Sequence, residues 1–276
     1  MKEDWEQAGS WKQLEAYFEE VWDGPYTGVF HDEEALAERE EVREQIQALA
    51  DRRDMLEADY PELFEGDGDY GERTLPVRKV TLLANPTHIY GKKPVVFETL
   101  CRLMEEDGGD VILHTPYIVL SEEMQERLKS VTETGVSVTI LTNSVENGDN
   151  FFGSSDYVRN KGKVLDTGVT VYEYDGGESY HAKSVVIGDR LAIVGSYNLD
   201  LRSTYVDTEL MLVIDSEELC QELTGYMEEL QEDARKAVDE DTYETPAHLT
   251  VQEVPWWKRL AWEIVGRLMI PFRVLI

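Results

Sequence analysis

The sequence predicts an α/β fold, with a mixed or largely parallel β-sheet flanked by helices. From Val77 onward, short apolar runs alternate with helical patterns, which is typical of βα units. The preceding region is acidic and helix-patterned, and the apolar residues after Pro255 fall on one helical face. We therefore expect an acidic helical extension over 1–72, the α/β domain over 73–240, and a linker with an amphipathic helix over 241–276.

The N-terminal extension contains two predicted helical segments. In the first, apolar residues recur every three or four positions until Asp23-Gly24-Pro25 stops the pattern. These residues are Trp11, Leu14, Phe18, Val21 and Trp22. The second segment, about 32–59, is dense in Glu, Arg and Gln and predicts a long exposed helix or a helical hairpin. The run Glu65-Gly66-Asp67-Gly68-Asp69 then predicts a flexible linker.

The α/β domain is expected to alternate strands with helices, and Gly135 suits the end of the second helix. No repeat is detected within the chain, so a single structural repeat is expected. The predicted strands lie near 79–84, 110–114, 136–142, 169–174, 183–188, 190–195 and 209–214, and the predicted helices near 94–107, 121–133 and 216–236.

The C-terminal segment has the pattern of an interfacial helix. Its apolar face comprises Trp256, Trp257, Leu260, Ala261, Ile264, Val265, Leu268 and Met269. Four basic residues against the single Glu263 give residues 255–276 a net charge of +3. Aromatic and basic residues together suit anionic lipid headgroups, so we expect a peripheral membrane contact here. The alternative is a helix docked on the protein's own core or on a partner.

The overall charge restricts the class of partner. The chain has 57 acidic and 26 basic residues, a net charge of −31, and this field repels nucleic acid. Cys101 and Cys220 belong to no CxxC pair or metal-ligand cluster, which indicates reduced core residues. Neither a signal peptide nor an uncharged apolar run of about 18 residues is visible. We expect a cytoplasmic protein that is peripheral at the inner face of the cell membrane.

The informative residues flank a turn at Gly188-Asp189, between two short β-runs. If 183–187 form a strand, alternation places His181 and Lys183 on the same face. The segment Gly195-Ser196-Tyr197-Asn198 leaves the second run as a tight turn, where Gly allows close backbone approach and Ser and Asn offer short polar side chains. The pattern therefore brings an imidazole, an ammonium, a hydroxyl and an amide together.

These four groups suit chemistry on a phosphodiester. An imidazole such as His181 attacks phosphorus or protonates a leaving alkoxide, while Lys183 and Asn198 can bind the non-bridging oxygens. Glu209, near the start of the next strand, is a candidate to hold the other imidazole nitrogen and fix its tautomer. This scheme requires no metal, and we expect no cofactor.

The spacing of these residues resembles the HxKxxxxD…GSxN signature of the phospholipase D superfamily. The resemblance implies a phospholipase D-like fold and catalytic domain. It implies that His181 is a nucleophile or general acid, that Lys183 and Asn198 bind phosphate, and that Ser196 supports the site by hydrogen bonding. Runs at 112–117, 136–144 and 198–203 also resemble the second half of bacterial cardiolipin synthase-like proteins, so the resemblance covers roughly 76–236.

Two positions depart from the family pattern. The Asp expected five residues after Lys183 is Gly188, with Asp189 one place later, and the Asn often found two residues before Glu209 is Asp207. The first departure puts a turn-stabilising carboxylate in doubt rather than the reacting groups.

A further departure is that the family site is built from two HxK motifs, whereas this chain has one. The other histidines are followed two places later by residues other than Lys, in the pairs His31/Glu33, His88/Tyr90, His114/Pro116 and His248/Thr250. The second half-site is expected from a symmetric homodimer or from a separate first-half polypeptide; otherwise the chain is a split-gene fragment. The resemblance to a second half favours the latter two and implies that His181 is the general acid.

The leading functional hypothesis is phosphatidyl transfer on an anionic phospholipid through a phosphohistidine, giving cardiolipin from phosphatidylglycerol. Hydrolysis of phospholipids by the same chemistry is the first alternative. A dimeric phosphodiesterase or nuclease is the second, although phosphate-backbone binding normally needs a basic surface. An inactive split-gene fragment is the third.

Overall fold

A computed structural model describes residues 9–28, 35–64, 71, 74–89, 91–148 and 150–275. The chain divides into two compact units, one holding the described residues of 1–17 and 76–276, and the other those of 18–75. Helices α1 (Ser10–Trp22) and α2 (Glu40–Asp59) form the N-terminal part, and neither buries a side chain. The predicted second segment is thus one long exposed helix. The predicted linker Glu65–Asp69 lies outside the described residues.

The larger unit is built on a nine-stranded mixed sheet of order β1-β7-β6-β5-β2-β3-β4-β8-β9. Only the β2–β3 and β3–β4 pairs are parallel among these strands. The strands are β1 (Lys79–Ala84), β2 (Asp110–His114), β3 (Ser137–Asn143), β4 (Thr170–Tyr174), β5 (Ser184–Ile187), β6 (Leu191–Gly195), β7 (Leu210–Asp215), β8 (Ala234–Ala237) and β9 (Tyr243–Glu244). The fold class is therefore the α/β mixed sheet that the sequence predicts.

Helices cover both faces of this sheet. They are α3 (Val95–Asp107), α4 (Glu122–Glu133), α5 (Phe151–Leu165), α6 (Leu201–Tyr205), α7 (Glu217–Glu232) and α8 (Trp256–Leu268), with 3-10 turns at Leu36–Glu38, Pro61–Leu63 and Ile270–Leu275. Strand β5 shows the two faces clearly, because Val185 and Ile187 enter the main core while Val186 packs with Cys220 and Met227 of α7. This alternation is the period-2 pattern of a strand buried on both sides.

The two cysteines of the domain lie where the sequence predicts them. Cys101 and Cys220 are free and buried, as expected for core thiols, and burial raises the pKa of both, to about 12 and about 11.

The predicted helix 216–236 was too long, because α7 ends at Glu232 and Ala234–Ala237 form β8. In β8, Arg235 donates to the buried carboxylate of Glu173 on β4, and that long-range pairing holds the segment in the sheet.

Helix α5 was not predicted, because its sequence contains Gly153, Gly162 and a Ser-Ser pair that disfavour helix. Asn150 caps its start by accepting a hydrogen bond from the backbone N–H of Gly153 at 3.0 Å. The short helix α6 and the terminal strands β8 and β9 were also not predicted.

The C-terminal helix α8 has one docked face and one exposed apolar face. Trp262 is buried, and Gly266 lies against Ser155 and Arg159 of α5. On the other side Trp256, Ile264 and Leu268 are exposed. One face of α8 is thus docked on α5, and the opposite face presents apolar side chains to solvent. No described helix combines the length and apolarity needed to cross a membrane.

Candidate functional site

The β5–β6 hairpin brings together the four residues of the sequence motif. His181 and Lys183 immediately precede β5, and Ser196 and Asn198 follow β6. Because β5 and β6 are antiparallel neighbours, both pairs emerge at the same end of the hairpin. The backbone N–H of Gly195 donates to the carbonyl of Lys183 at 3.3 Å, which fixes the two segments side by side. We call this end of the sheet the hairpin site.

His181 and Lys183 are in direct contact. Lys183 Nζ lies 2.8 Å from Nδ1 of His181 and 3.0 Å from the His181 carbonyl oxygen. The second ring nitrogen, Nε2, lies 3.4 Å from the same Nζ, so the ammonium group faces both nitrogens of the imidazole. The His181 side chain is exposed, whereas that of Lys183 is half-buried. The imidazole is therefore presented to solvent beside the ammonium group of Lys183.

Gly195 is required by the close approach of β7. A Cβ atom at this position would collide with the Leu210 carbonyl oxygen and lie 2.7 Å from the Met211 Cα. The next residue, Ser196, donates its backbone N–H to the same Leu210 carbonyl at 2.9 Å. The glycine thus lets the chain turn tightly against β7, which places the Ser196 and Asn198 side chains at the hairpin site.

Glu209 binds two serines rather than the histidine. Its carboxylate accepts a hydrogen bond from Ser196 Oγ, and its other oxygen accepts one from Ser203 Oγ at 2.8 Å. In the part of the chain that the structure describes, no hydrogen bond joins Glu209 to His181. Glu209 is buried. Through its two hydrogen bonds it links Ser196, in the turn after β6, to Ser203. The role of the tautomer-fixing carboxylate remains a prediction for Glu209.

Asn198 has a weakly satisfied amide. Its Nδ2 is 3.4 Å from both Tyr117 Oη and Ser203 Oγ, at the long limit of a hydrogen bond. Its buried Oδ1 has no hydrogen-bond partner among the described residues. Either amide proton can therefore be donated to a closer acceptor, such as a phosphate oxygen, without breaking a strong bond.

Two residues that the sequence did not identify position the His181 segment. Asn143, at the end of β3, donates Nδ2 to the carbonyl oxygens of Tyr180 at 2.9 Å and Pro116 at 3.0 Å. Its Oδ1 accepts the backbone N–H of Tyr180 at 3.1 Å. The Tyr180 side chain is half-buried and donates to the Leu141 carbonyl. Asn143 could have been identified from the sequence, because it lies at the carboxyl end of a parallel strand, where ligand sites cluster.

Buried charged groups lie beneath and beside the site. Burial raises the pKa of Asp200 to about 7, with Glu209 and Asp207 adding to the effect, although the Ser203 N–H donates to it at 2.6 Å. Burial also lowers the pKa of Lys92, against the opposing influence of Asp207 and Glu209. Around Asn198 the environment is thus poorly hydrated and rich in carboxylates.

His114 is a second histidine near the site, but it is enclosed. It is 2% exposed, and its ring centroid lies 5.6 Å from that of Tyr180, with the two rings tilted by 52°. Neither ring nitrogen has a hydrogen-bond partner in the described ranges. Burial lowers the pKa of His114 to about 4, so the ring is neutral at pH 7. His114 therefore supports Tyr180 rather than contributing an imidazole to the surface.

The departures from the family signature have local explanations. Gly188 has a φ of +57°, a left-handed conformation that favours glycine, so the turn requires Gly where the signature has Asp. Asp207 pairs with Arg202 at 2.9 Å at the rim of the site. No group of three or more His, Cys, Asp or Glu among the described residues is arranged to hold a metal ion.

Comparisons with known proteins agree with this geometry. The family described as the cardiolipin synthase, PLD-like domain, matches residues 100–231. The cardiolipin synthase A of Buchnera aphidicola is 27% identical over 57% of this chain and 32% of its own length. That of Salmonella arizonae is 30% identical over 60% of this chain and 31% of its own length. The chain thus spans about a third of the length of these curated relatives.

The fold is similar to that of a solved enzyme. The crystal structure of phosphatidylserine synthase from Haemophilus influenzae aligns over 71% of this chain and 48% of its own, with 15% identity and a TM-score of 0.53. At this identity the likeness concerns the fold, which is the mixed sheet on which the hairpin site is built. Over residues 100–231 the chain is therefore similar to the phospholipase D-like domain of cardiolipin synthases, and its fold agrees with this similarity.

Proposed function

We propose that this chain supplies one half-site of a phosphatidyl transfer reaction on phospholipids, most specifically the formation of cardiolipin from phosphatidylglycerol. The observation that carries the proposal is the convergence of His181, Lys183 and Asn198 at the hairpin site. The relatives named cardiolipin synthase A and phosphatidylserine synthase support the substrate class.

In this proposal His181 acts as the general acid. A histidine of the second half-site attacks phosphorus, and the bond from phosphorus to the leaving glycerol oxygen breaks. His181, as an imidazolium, passes a ring proton to that oxygen, which leaves a neutral imidazole on His181 and a phosphohistidine on the other half-site. In the second step His181 takes the proton of the acceptor hydroxyl, whose oxygen attacks phosphorus and releases the histidine. Lys183 and Asn198 hold the non-bridging oxygens, whose charge is stabilised in both transition states.

In this proposal the second half-site does not lie within residues 1–276. Residues 1–276 contain one HxK motif, and in-line displacement needs groups on opposite faces of phosphorus. A second copy of the chain or a separate polypeptide carrying a first half can supply it. The exposure of His181 supports either arrangement, because the imidazole is free to face another surface.

Membrane association is the final part of the proposal. The exposed apolar face of α8 and the basic residues Lys258, Arg259 and Arg267 of the same helix suit an anionic bilayer. A peripheral position at the inner face of the cell membrane would give the hairpin site access to lipid phosphates. The net charge of −31 argues against a polynucleotide substrate for the same site.

The test is conversion of phosphatidylglycerol to cardiolipin in vesicles by the purified chain, with His181→Ala beside it. We expect activity in the wild type and its loss in the variant. His248→Ala is the matched control, because this histidine is also exposed but lies outside the hairpin site. Equal activity in all three proteins would refute the assignment. Water-dependent release of phosphatidic acid in place of cardiolipin would show hydrolysis, and an inactive but vesicle-bound wild type would require a separate first-half chain.

A further inference from the structure

A cleft of about 480 Å³ opens beside Asn198. This size lies within the range of about 300–1,000 Å³ typical of small-molecule sites. On one side the cleft is lined by Asn198 and the polar residues around α6. On the other side it is lined by Phe152 of α5 together with Met269 and Leu275, which follow α8. This cavity, the Asn198 cleft, therefore has a polar wall next to the motif and an apolar wall made largely by the end of the chain.

The apolar wall is fastened in place by one ion pair. Arg273 donates Nε to one oxygen of Asp156 at 2.6 Å and a terminal nitrogen to the other at 2.9 Å. The same nitrogen donates to the Leu120 carbonyl at 2.9 Å. The Asp156 side chain is 4% exposed, so this two-pronged contact is shielded from water and holds the Ile270–Leu275 turn against the domain. The wall is thus a built part of the site.

We infer that the Asn198 cleft binds the first methylenes of an acyl chain of the phospholipid substrate. The inference rests on the proposed function, in which Asn198 binds the lipid phosphate. In a glycerophospholipid the acyl chains begin one glycerol unit away from the phosphate. A lipid held by Asn198 therefore directs polar glycerol and ester groups to the polar wall, and methylenes to Phe152, Met269 and Leu275.

The outer surface of the tail supports this path. Phe272 is exposed on the Ile270–Leu275 turn that closes the cleft, so apolar surface continues from the cleft to the outside of this turn. The rest of an acyl chain can follow this surface toward a bilayer. A small polar ligand would leave the apolar wall without contacts, which favours an amphiphile as the occupant.

The test compares two ligands by titration calorimetry with the full chain. The first is monomeric dihexanoyl phosphatidylglycerol, below its micellar concentration, and the second is its deacylated headgroup, glycerophosphoglycerol. We expect the diacyl lipid to bind at least tenfold more tightly, because each buried methylene is worth about fourfold in affinity. Equal affinity for the two ligands would overturn the inference.

A matched pair of variants locates the effect. Leu275→Gln and Leu268→Gln make the same change in the same segment at similar exposure, 62% and 68%, but only Leu275 lines the cleft. Leu275→Gln is expected to weaken diacyl binding about fivefold and to leave headgroup binding unchanged, while Leu268→Gln changes neither. Phe152→Gln, on α5, should repeat the effect of Leu275→Gln. Equal losses in both leucine variants would contradict an acyl site in the cleft.

Turnover separates this inference from the proposed function. Chain-dependent binding together with equal cardiolipin formation by the wild type and His181→Ala would uphold acyl-chain binding in the cleft and refute the proposed transfer. Cardiolipin formation that is lost in His181→Ala, without chain-dependent binding, would uphold the proposed transfer and refute acyl-chain binding in the cleft.

Discussion

At the scale of single residues, two enclosed titratable groups make folding depend on pH in opposite directions. The pKa of Asp200 is raised to about 7, so the folded state keeps a proton that the unfolded state loses above its usual value of 3.8. Asp200 therefore stabilises the fold below about pH 4, and this contribution is lost as the pH rises to 7. The pKa of His114 is lowered to about 4, so its contribution is present above 6.5 and lost as the pH falls.

The first prediction isolates the His114 effect. His114→Leu removes the imidazole, so its stability relative to the wild type should increase as the pH falls from 6.5 to 4.5. The difference in free energy of unfolding should grow by roughly 1.4 kcal/mol per pH unit in this window, since one pKa unit corresponds to that energy. Urea denaturation at several pH values measures it. Parallel curves for the two proteins would mean that His114 is protonated as easily in the fold as outside it.

At the scale of elements, the β5–β6 hairpin could be predicted from the sequence, but the contacts of the residues that hold the segments beside it could not. Short apolar runs on either side of Gly188-Asp189 predicted β5 and β6, and this hairpin brings His181 and Asn198 to the same end of the sheet. Asn143 lies at the end of a strand far away in sequence, and only the parallel pairing of β2, β3 and β4 brings it to Tyr180. Local patterns carry no information on such distant contacts.

Two other elements show the same limit. The residues of β8 continue the helical pattern of α7, but the buried Arg235–Glu173 pair with β4 determines their conformation. In α5 the glycines weaken the helical signal, although Gly266 of α8 then packs closely on this helix. In both places tertiary contacts outweigh local propensity.

The second prediction concerns the two faces of α8. Trp262 is 2% exposed and Trp256 is 76% exposed on the same helix. Trp262→Ala should release the helix from α5 and accelerate tryptic cleavage near Arg267, because a large buried side chain is lost. Trp256→Ala should leave cleavage unchanged and weaken binding to phosphatidylglycerol vesicles several-fold. Limited proteolysis measures the release of the helix, and vesicle sedimentation measures membrane binding. If both variants showed the same changes, the two faces of α8 would not have separate roles.

At the scale of the whole molecule, the source of the second half-site determines the assembly. If two copies face each other, each active centre requires His181 from both. The oligomer is then the catalytic unit, and its concentration sets the activity. If a separate polypeptide supplies the other half, the chain alone remains inactive at any concentration.

The third prediction distinguishes these assemblies by subunit mixing. Wild type and His181→Ala are combined in different proportions, denatured and refolded together, and assayed for cardiolipin formation. For a homodimer with a shared centre, activity should fall as the square of the wild-type fraction, to about a quarter at equal amounts. Activity proportional to the wild-type fraction would show that each copy works independently. Light scattering on the same samples verifies the oligomeric state.

The β5–β6 hairpin also has a consequence for ancestry. All four motif residues lie between positions 181 and 198, on one contiguous stretch of chain. A duplication, fusion or fission of the gene outside this stretch moves the set as a block without breaking it. Two copies on one polypeptide, two identical subunits and two different subunits are then equivalent ways to encode the same pair of facing hairpins. The modular layout makes exchange between these gene arrangements a small evolutionary step.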